Sequence, residues 1–224
     1  YRRGPVPGIG DPGRAEALMM TGMHAASGTG GFLPHTFSSR IASLEVNGIQ
    51  LPEAALFSAS LSPYGIRPVF FSGCPEACRQ ASAVLPGIRT FAIDKSVPVN
   101  RFDAAAWRQG LAQAAVRSLS NRCANVCRLE GPFDVQVKIR DGAEAARRIG
   151  ARWSIQADGG TLRFQAPDFD RLYMALIRIC YLTPAIERIL PAGLFLFNLR
   201  GWLGRSWVRR RLKKAGRWPG GSNG

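Results

Sequence analysis

Both histidines of the chain fall within a single stretch, residues 21–53, which closes on the carboxylate Glu53, and these three are the side chains best suited to chemistry. His24 and His35 stand eleven residues apart, and Glu53 follows eighteen residues later. A glycine-rich segment containing Gly28, Gly30 and Gly31 separates the two histidines. Imidazole and carboxylate are ligands that zinc accepts, and water bound to zinc is a hydrolytic nucleophile near neutral pH. A catalytic zinc takes three protein ligands and a water, so His24 and Glu53 alone form an incomplete set. The plainer alternative for either ring is a structural histidine.

The cysteines offer a competing site. Cys74 with Cys78, and Cys123 with Cys127, are both C-x3-C pairs, a spacing that places each pair on one helix face. Tetrathiolate zinc sites favour C-x2-C knuckles, so free thiols, buried or partly exposed, are the better reading. Other chemistries lack their motifs. There is no G-x-S-x-G elbow, no P-loop and no G-x-G-x-x-G in the strand–turn–helix setting that a dinucleotide site needs.

The elements that must position these residues follow from pattern. Residues 17–22 are apolar and bounded by turn residues, as in a buried strand, which puts His24 just past the strand's C-terminal end. Residues 39–46 alternate polar and apolar, Asn47-Gly48 is a strong turn signal, and residues 49–51 form a returning arm. Pro52-Glu53 suits the first turn of a helix. Strands are then predicted at 67–72 and 88–93, with helices at 75–84 and 103–119, the second capped by Asp103. Alternation of this kind implies an α/β fold with a mainly parallel sheet flanked by helices. After Arg128 come a strand at 133–139, a helix at 141–149, strands at 152–156 and 162–164, and a helix at 168–182. They make a smaller α+β second lobe. The expected organisation is an α/β domain over 1–128 that carries the metal site, a lobe over 129–183, and a basic, apolar tail over 184–224.

The run Gly22-Met23-His24-Ala25, with His35 eleven residues on, then Asn47-Gly48 and Glu53, resembles the zinc-dependent D-aminopeptidases of the dipeptide-operon type, peptidase family M55. The likeness continues through YGIRPVFFSG and LPGIRTFAIDKS, returns in LRFQAPDFDRLYMAL, and so covers about residues 2–183. The resemblance implies a two-zinc site with His24 and Glu53 as metal ligands and His35 as a catalytic group beside the metals. It implies release of N-terminal D-residues from short D-amino-acid peptides of the D-Ala-D-Ala type, and assembly into homo-oligomers. The family's Asp-x-Glu-Gly strand and a further histidine do not occur here, so at least three of its metal ligands are expected to lie upstream of Tyr1. Pro52 stands where glycine is usual, and Cys74 follows Ser72-Gly73 where aspartate is common. The counter-reading is a non-catalytic α/β binding or assembly domain that retains the fold.

Charge places further bounds. The net charge is +15, and from residue 185 onward nine Lys or Arg face the single acid Glu187. The basicity belongs mainly to the tail and is not a stripe across the fold, so nucleic acid is not the expected partner. The tail also carries Trp202 and Trp207 ahead of Arg209-Arg210-Arg211. It reads either as an amphipathic membrane-surface helix or as a poorly ordered extension, with Pro191 and glycines at 193, 201 and 204 weighing against a long helix. Five cysteines without a secretory signal point to a reducing compartment, and a cytoplasmic location is the expectation.

Overall fold

A computed structural model describes residues 12–121 and 123–214. Of these, residues 12–182 form one compact unit, and residues 183–214 belong to another.

The first sheet has three parallel strands. β1 (Ala17–Met23) and β5 (Arg89–Ala92) flank β4 (Arg67–Gly73) in the order β1-β4-β5. Central β4 is the most buried of the three, and Val69, Phe70 and Phe71 are at most 1% exposed. Helix α2 (Pro75–Val84) supplies Ala77, Cys78 and Ala81 to a cluster with Met20 and Phe71. Helix α3 (Ala104–Leu119) packs Leu111, Ala114 and Ala115 against Val69 and Phe70. Burial of both faces of β4 explains its near-continuous hydrophobic sequence.

The second sheet is larger and antiparallel, in the order β3-β2-β6-β8-β7. Its strands are β2 (Ile41–Val46), β3 (Ile49–Gln50), β6 (Phe133–Ile139), β7 (Gln156–Asp158) and β8 (Thr161–Ala166). The expectation of a mainly parallel sheet is therefore overturned. Asn47 and Gly48 both take positive φ, +52° and +76°, which makes a two-residue hairpin and commits β2 and β3 to opposite directions. β2 then pairs with β6, where Phe133, Val135, Val137 and Ile139 alternate inward. Asn47 reinforces this pairing, since its Oδ1 accepts from Asp134 N at 2.7 Å.

Helices α4 (Gly142–Trp153) and α5 (Phe169–Tyr181) pack on this second sheet, α5 through buried Leu172, Leu176 and Ile179. The strand expected at 152–156 is displaced. α4 runs on to Trp153, Ser154 turns it off at φ +55°, and β7 starts only at Gln156. Helix α1 (Glu53–Ser60) contacts β1, α2 and α5, so it bridges the two sheets. Its Ala54, Ala55, Leu56 and Ala59 are buried.

The predicted cap is present: Asp103 accepts from Ala105 N and Ala106 N. Asp168 caps α5 as well, accepting from Arg171 N. Leu119, the last residue of α3, is 58% exposed. Past Leu182 the chain forms α6 (Pro184–Lys214), one helix of 31 residues that accommodates Pro191 and the three glycines. No single helix among the described residues is long and apolar enough to cross a membrane.

Candidate functional site

β1 delivers His24 to the C-terminal end of the parallel sheet, where α/β folds place ligands. The chain then loops out and returns, and the return is fixed by buried groups. His35 N donates to Ala25 O at 3.0 Å. Ser27 N donates to Thr36 Oγ1 at 3.1 Å, and Thr36 N donates to Ser27 Oγ at 2.8 Å, with both residues fully buried. This reciprocal clasp closes the loop at its neck and sets the two imidazole centroids 4.7 Å apart.

Gln80 on α2 holds the loop from below. Its Oε1 accepts from Ala26 N at 2.8 Å, and its Nε2 donates to Thr29 Oγ1 and to Glu76 Oε1, each at 2.9 Å. Gly31 lies at φ +112°, and a Cβ there would meet Ala25, Cys74 and Glu76 at 3.1–3.3 Å. The glycine allows the loop to lie flat on α2.

The tautomers of both rings follow from their partners. His24 Nδ1 lies 2.9 Å from Phe32 O, and His35 Nδ1 lies 2.9 Å from Leu33 O. A carbonyl only accepts, so each Nδ1 carries a proton, and in the neutral ring Nε2 holds a lone pair. Backbone carbonyls orient metal-binding histidines in the same way. Phe32 stacks near His24 at a centroid distance of 6.3 Å, and Lys95 Nζ lies 4.3 Å over the Phe32 ring.

Glu53 enters from the first turn of α1 and is only 8% exposed. Its Oε1 accepts from Phe37 N at 2.7 Å. Burial raises the carboxyl above its ordinary value. The Phe37 hydrogen bond opposes that rise, and so do charges on His35 and then His24. His24, His35 and Glu53 thus share one electrostatic neighbourhood. Around the carboxyl, burial pushes Cys180 and Tyr181 up to about 12, so both stay neutral there.

The zinc expected from the sequence meets a mixed test. The donors are of the right chemistry and the imidazoles have the right tautomer. Yet no group of three or more His, Cys, Asp or Glu side chains among the described residues is placed to hold a metal ion. The site as described does not close around zinc. The cysteines do not supply the deficit. Cys74 and Cys78 are buried at the start of α2, while Cys123 and Cys127 lie in a segment outside any helix, not on the helix face their spacing suggested. All five are free thiols, and burial raises those of Cys78, Cys127 and Cys180, which lowers their reactivity.

The sequence signalled His24, His35 and Glu53 but not Ser27, Thr36, Phe37 or Gln80. Ser27 and Thr36 flank the glycine segment nine residues apart, which is the one trace of their clasp. Gln80 carries no local signal at all.

The solved structure of the Zn-dependent D-aminopeptidase DppA from Bacillus subtilis, a self-compartmentalizing protease, is similar with a TM-score of 0.63 and 18% identity. The match covers 74% of this chain and 62% of that one, so the chain spans less than two thirds of DppA's length, and the likeness is one of fold. No curated protein sequence matches. The family model of peptidase M55, D-aminopeptidase, matches residues 8–177, which is most of the chain. The chain belongs to the peptidase M55 family of D-aminopeptidases.

Proposed function

We propose that this chain is a peptide-binding domain of the D-aminopeptidase fold that does not by itself hold the family's two zinc ions. The observation that carries this reading is that His24, His35 and Glu53 stand together while the described residues offer no group of three placed for a metal. Two Nε2 lone pairs and a carboxylate are three acceptors, the number an α-ammonium group can satisfy. The site thus suits the N-terminus of a short peptide, including D-residue peptides of the D-Ala-D-Ala type. Phe32 beside His24 offers an apolar face to a small side chain.

The test is calorimetry with D-Ala-D-Ala, with and without chelator, beside elemental analysis of dialysed protein. The expected result is binding that chelator leaves unchanged, zinc well below one ion per chain, and no release of D-alanine. Binding should weaken at least tenfold in Glu53→Gln. Stoichiometric zinc together with chelator-sensitive release of D-alanine overturns the reading.

That outcome would establish the second reading, a metallo-aminopeptidase, which the carbonyl-locked imidazoles favour. There His24 Nε2 and Glu53 would be ligands to zinc, which would supply an activated water. His35, its Nδ1–H held by Leu33 O, would take a proton from that water at Nε2 and pass it to the leaving amine. Self-association into a homo-oligomer belongs to either reading, and sedimentation velocity would detect it.

A further inference from the structure

Helix α6 lies beyond the last residue matched by the family. It nevertheless carries ten of the twenty exposed large hydrophobic side chains among the described residues. Phe195 and Leu196 are 67% and 62% exposed, and Trp202 and Trp207 are 58% and 57% exposed. An apolar surface of this extent marks an interaction site.

The distribution along the helix identifies the partner. Residues 194–197, Leu-Phe-Leu-Phe, are four consecutive apolar positions. At about 100° per residue they face every side of the helix, so a protein groove, which covers one stripe, would leave part of them wet. A lipid phase covers all sides. The chemistry then changes with position. The mainly apolar part comes first, Trp202 and Trp207 follow, and Arg209, Arg210, Arg211, Lys213 and Lys214 end the helix. The Arg211 guanidinium sits 4.5 Å over the Trp207 ring, which joins the last two zones. Over its length α6 has eight Lys or Arg against the single acid Glu187, a charge complementary to an anionic surface.

We propose that α6 anchors this chain to anionic lipid bilayers. The helix lies along the membrane surface, with its apolar residues 189–199 sunk among the upper acyl chains, Trp202 and Trp207 at headgroup level, and its basic end on the lipid phosphates. No single described helix is long and apolar enough to cross.

The experiment is co-sedimentation of the full chain with vesicles of 7:3 phosphatidylcholine–phosphatidylserine and of phosphatidylcholine alone, with tryptophan emission read in parallel. The expected result is binding to the anionic vesicles, weakened by half-molar salt and at least tenfold weaker on phosphatidylcholine. Brominated lipid should quench Trp202 and Trp207. Each basic residue neutralised should weaken binding about fivefold, so R209Q/R210Q/R211Q together should lose roughly a hundredfold. L196S/L203S should also lose binding, and W202F/W207F should keep binding while losing most of the emission change. Equal binding to both vesicle types overturns the proposal. So does unchanged binding by the triple arginine variant, or self-association of the chain through this helix with no binding to either vesicle.

Discussion

The backbone N–H of Phe37 donates to Glu53 Oε1 at 2.7 Å, and it does so from a left-handed backbone with φ +59°. A phenylalanine avoids that region at a cost of about 1–2 kcal/mol, so surrounding structure must hold it there. The Phe37 ring packs 5.7 Å from Phe57 on α1 and edge-on at 5.4 Å to Tyr173 on α5. The Tyr181 hydroxyl donates to its carbonyl. One strained residue thus links the loop after His35 to both helices that enclose Glu53.

This strain makes glycine better than alanine at position 37, against the usual order. Phe37→Ala loses the ring contacts and keeps the unfavourable φ, whereas Phe37→Gly loses the same contacts and relieves it. Both variants should be less stable than the parent, with Phe37→Gly above Phe37→Ala by about 1 kcal/mol. Urea unfolding of the three proteins decides this. An alanine variant as stable as the glycine variant would mean that Phe37 is not strained.

Glu53 should make stability depend on pH in a defined direction. Its folded value lies above the ordinary 4.5, because burial outweighs the Phe37 hydrogen bond and the two imidazoles. Between 4.5 and that raised value the folded chain binds more protons than the unfolded one, so stability falls as pH rises through this window. Glu53→Gln cannot ionise and retains an oxygen for Phe37 N–H. In chelator, the melting temperature of the variant relative to the parent should therefore rise from below pH 4.5 to neutrality. A difference that stays flat, or changes the other way, refutes the assignment.

The fold was most legible where a single signal dominated. The apolar run of β4, the alternation of β6 and the cap Asp103 each specify an element locally. Strand direction was not legible from alternating strands and helices, because β2 leaves the first sheet to pair with β6 across more than eighty residues. The Asn47-Gly48 turn announced an antiparallel hairpin, but not the sheet it would join. At 152–156 an extended reading competed with the apolar stripe Ala145, Ala146 and Ile149, and the helix won because that stripe packs on the sheet. In the site, residue types and spacing were readable. The contacts that set their geometry join residues whose proximity only the tertiary fold creates.

Gln80 is the clearest such contact. Its removal should loosen the loop without touching His24, His35 or Glu53. Gln80→Ala leaves Ala26 N–H without its acceptor at a part-buried position, a loss of about 1–3 kcal/mol. Amide exchange within residues 26–36 should speed up at least tenfold, while exchange in β6 and β8 should change only in proportion to global stability. Unchanged exchange in the loop would show that Ser27 and Thr36 hold it alone.

The two neighbouring glycines of the loop should respond oppositely to the same substitution. Gly31 combines φ +112° with three atoms at 3.1–3.3 Å from any added Cβ, and two of them, Ala25 Cβ and Glu76 Cβ, lie close to the backbone and cannot move freely. Gly31→Ala should therefore cost about 1–3 kcal/mol and push the loop away from α2. Gly30 has nothing within 4 Å of an added Cβ and no positive φ. Gly30→Ala should fall within about 0.5 kcal/mol of the parent, with any gain coming from reduced freedom of the unfolded chain. Because the loop carries His24 and His35 at its two ends, displacement by Gly31→Ala should also separate the rings. Nitrogen-15 shifts of the imidazoles would report this as loss of the Nδ1–H tautomer in one or both. A stable Gly31→Ala variant with unchanged imidazole shifts would mean that the ring pair is set by the Ser27–Thr36 clasp and owes nothing to the loop's contact with α2.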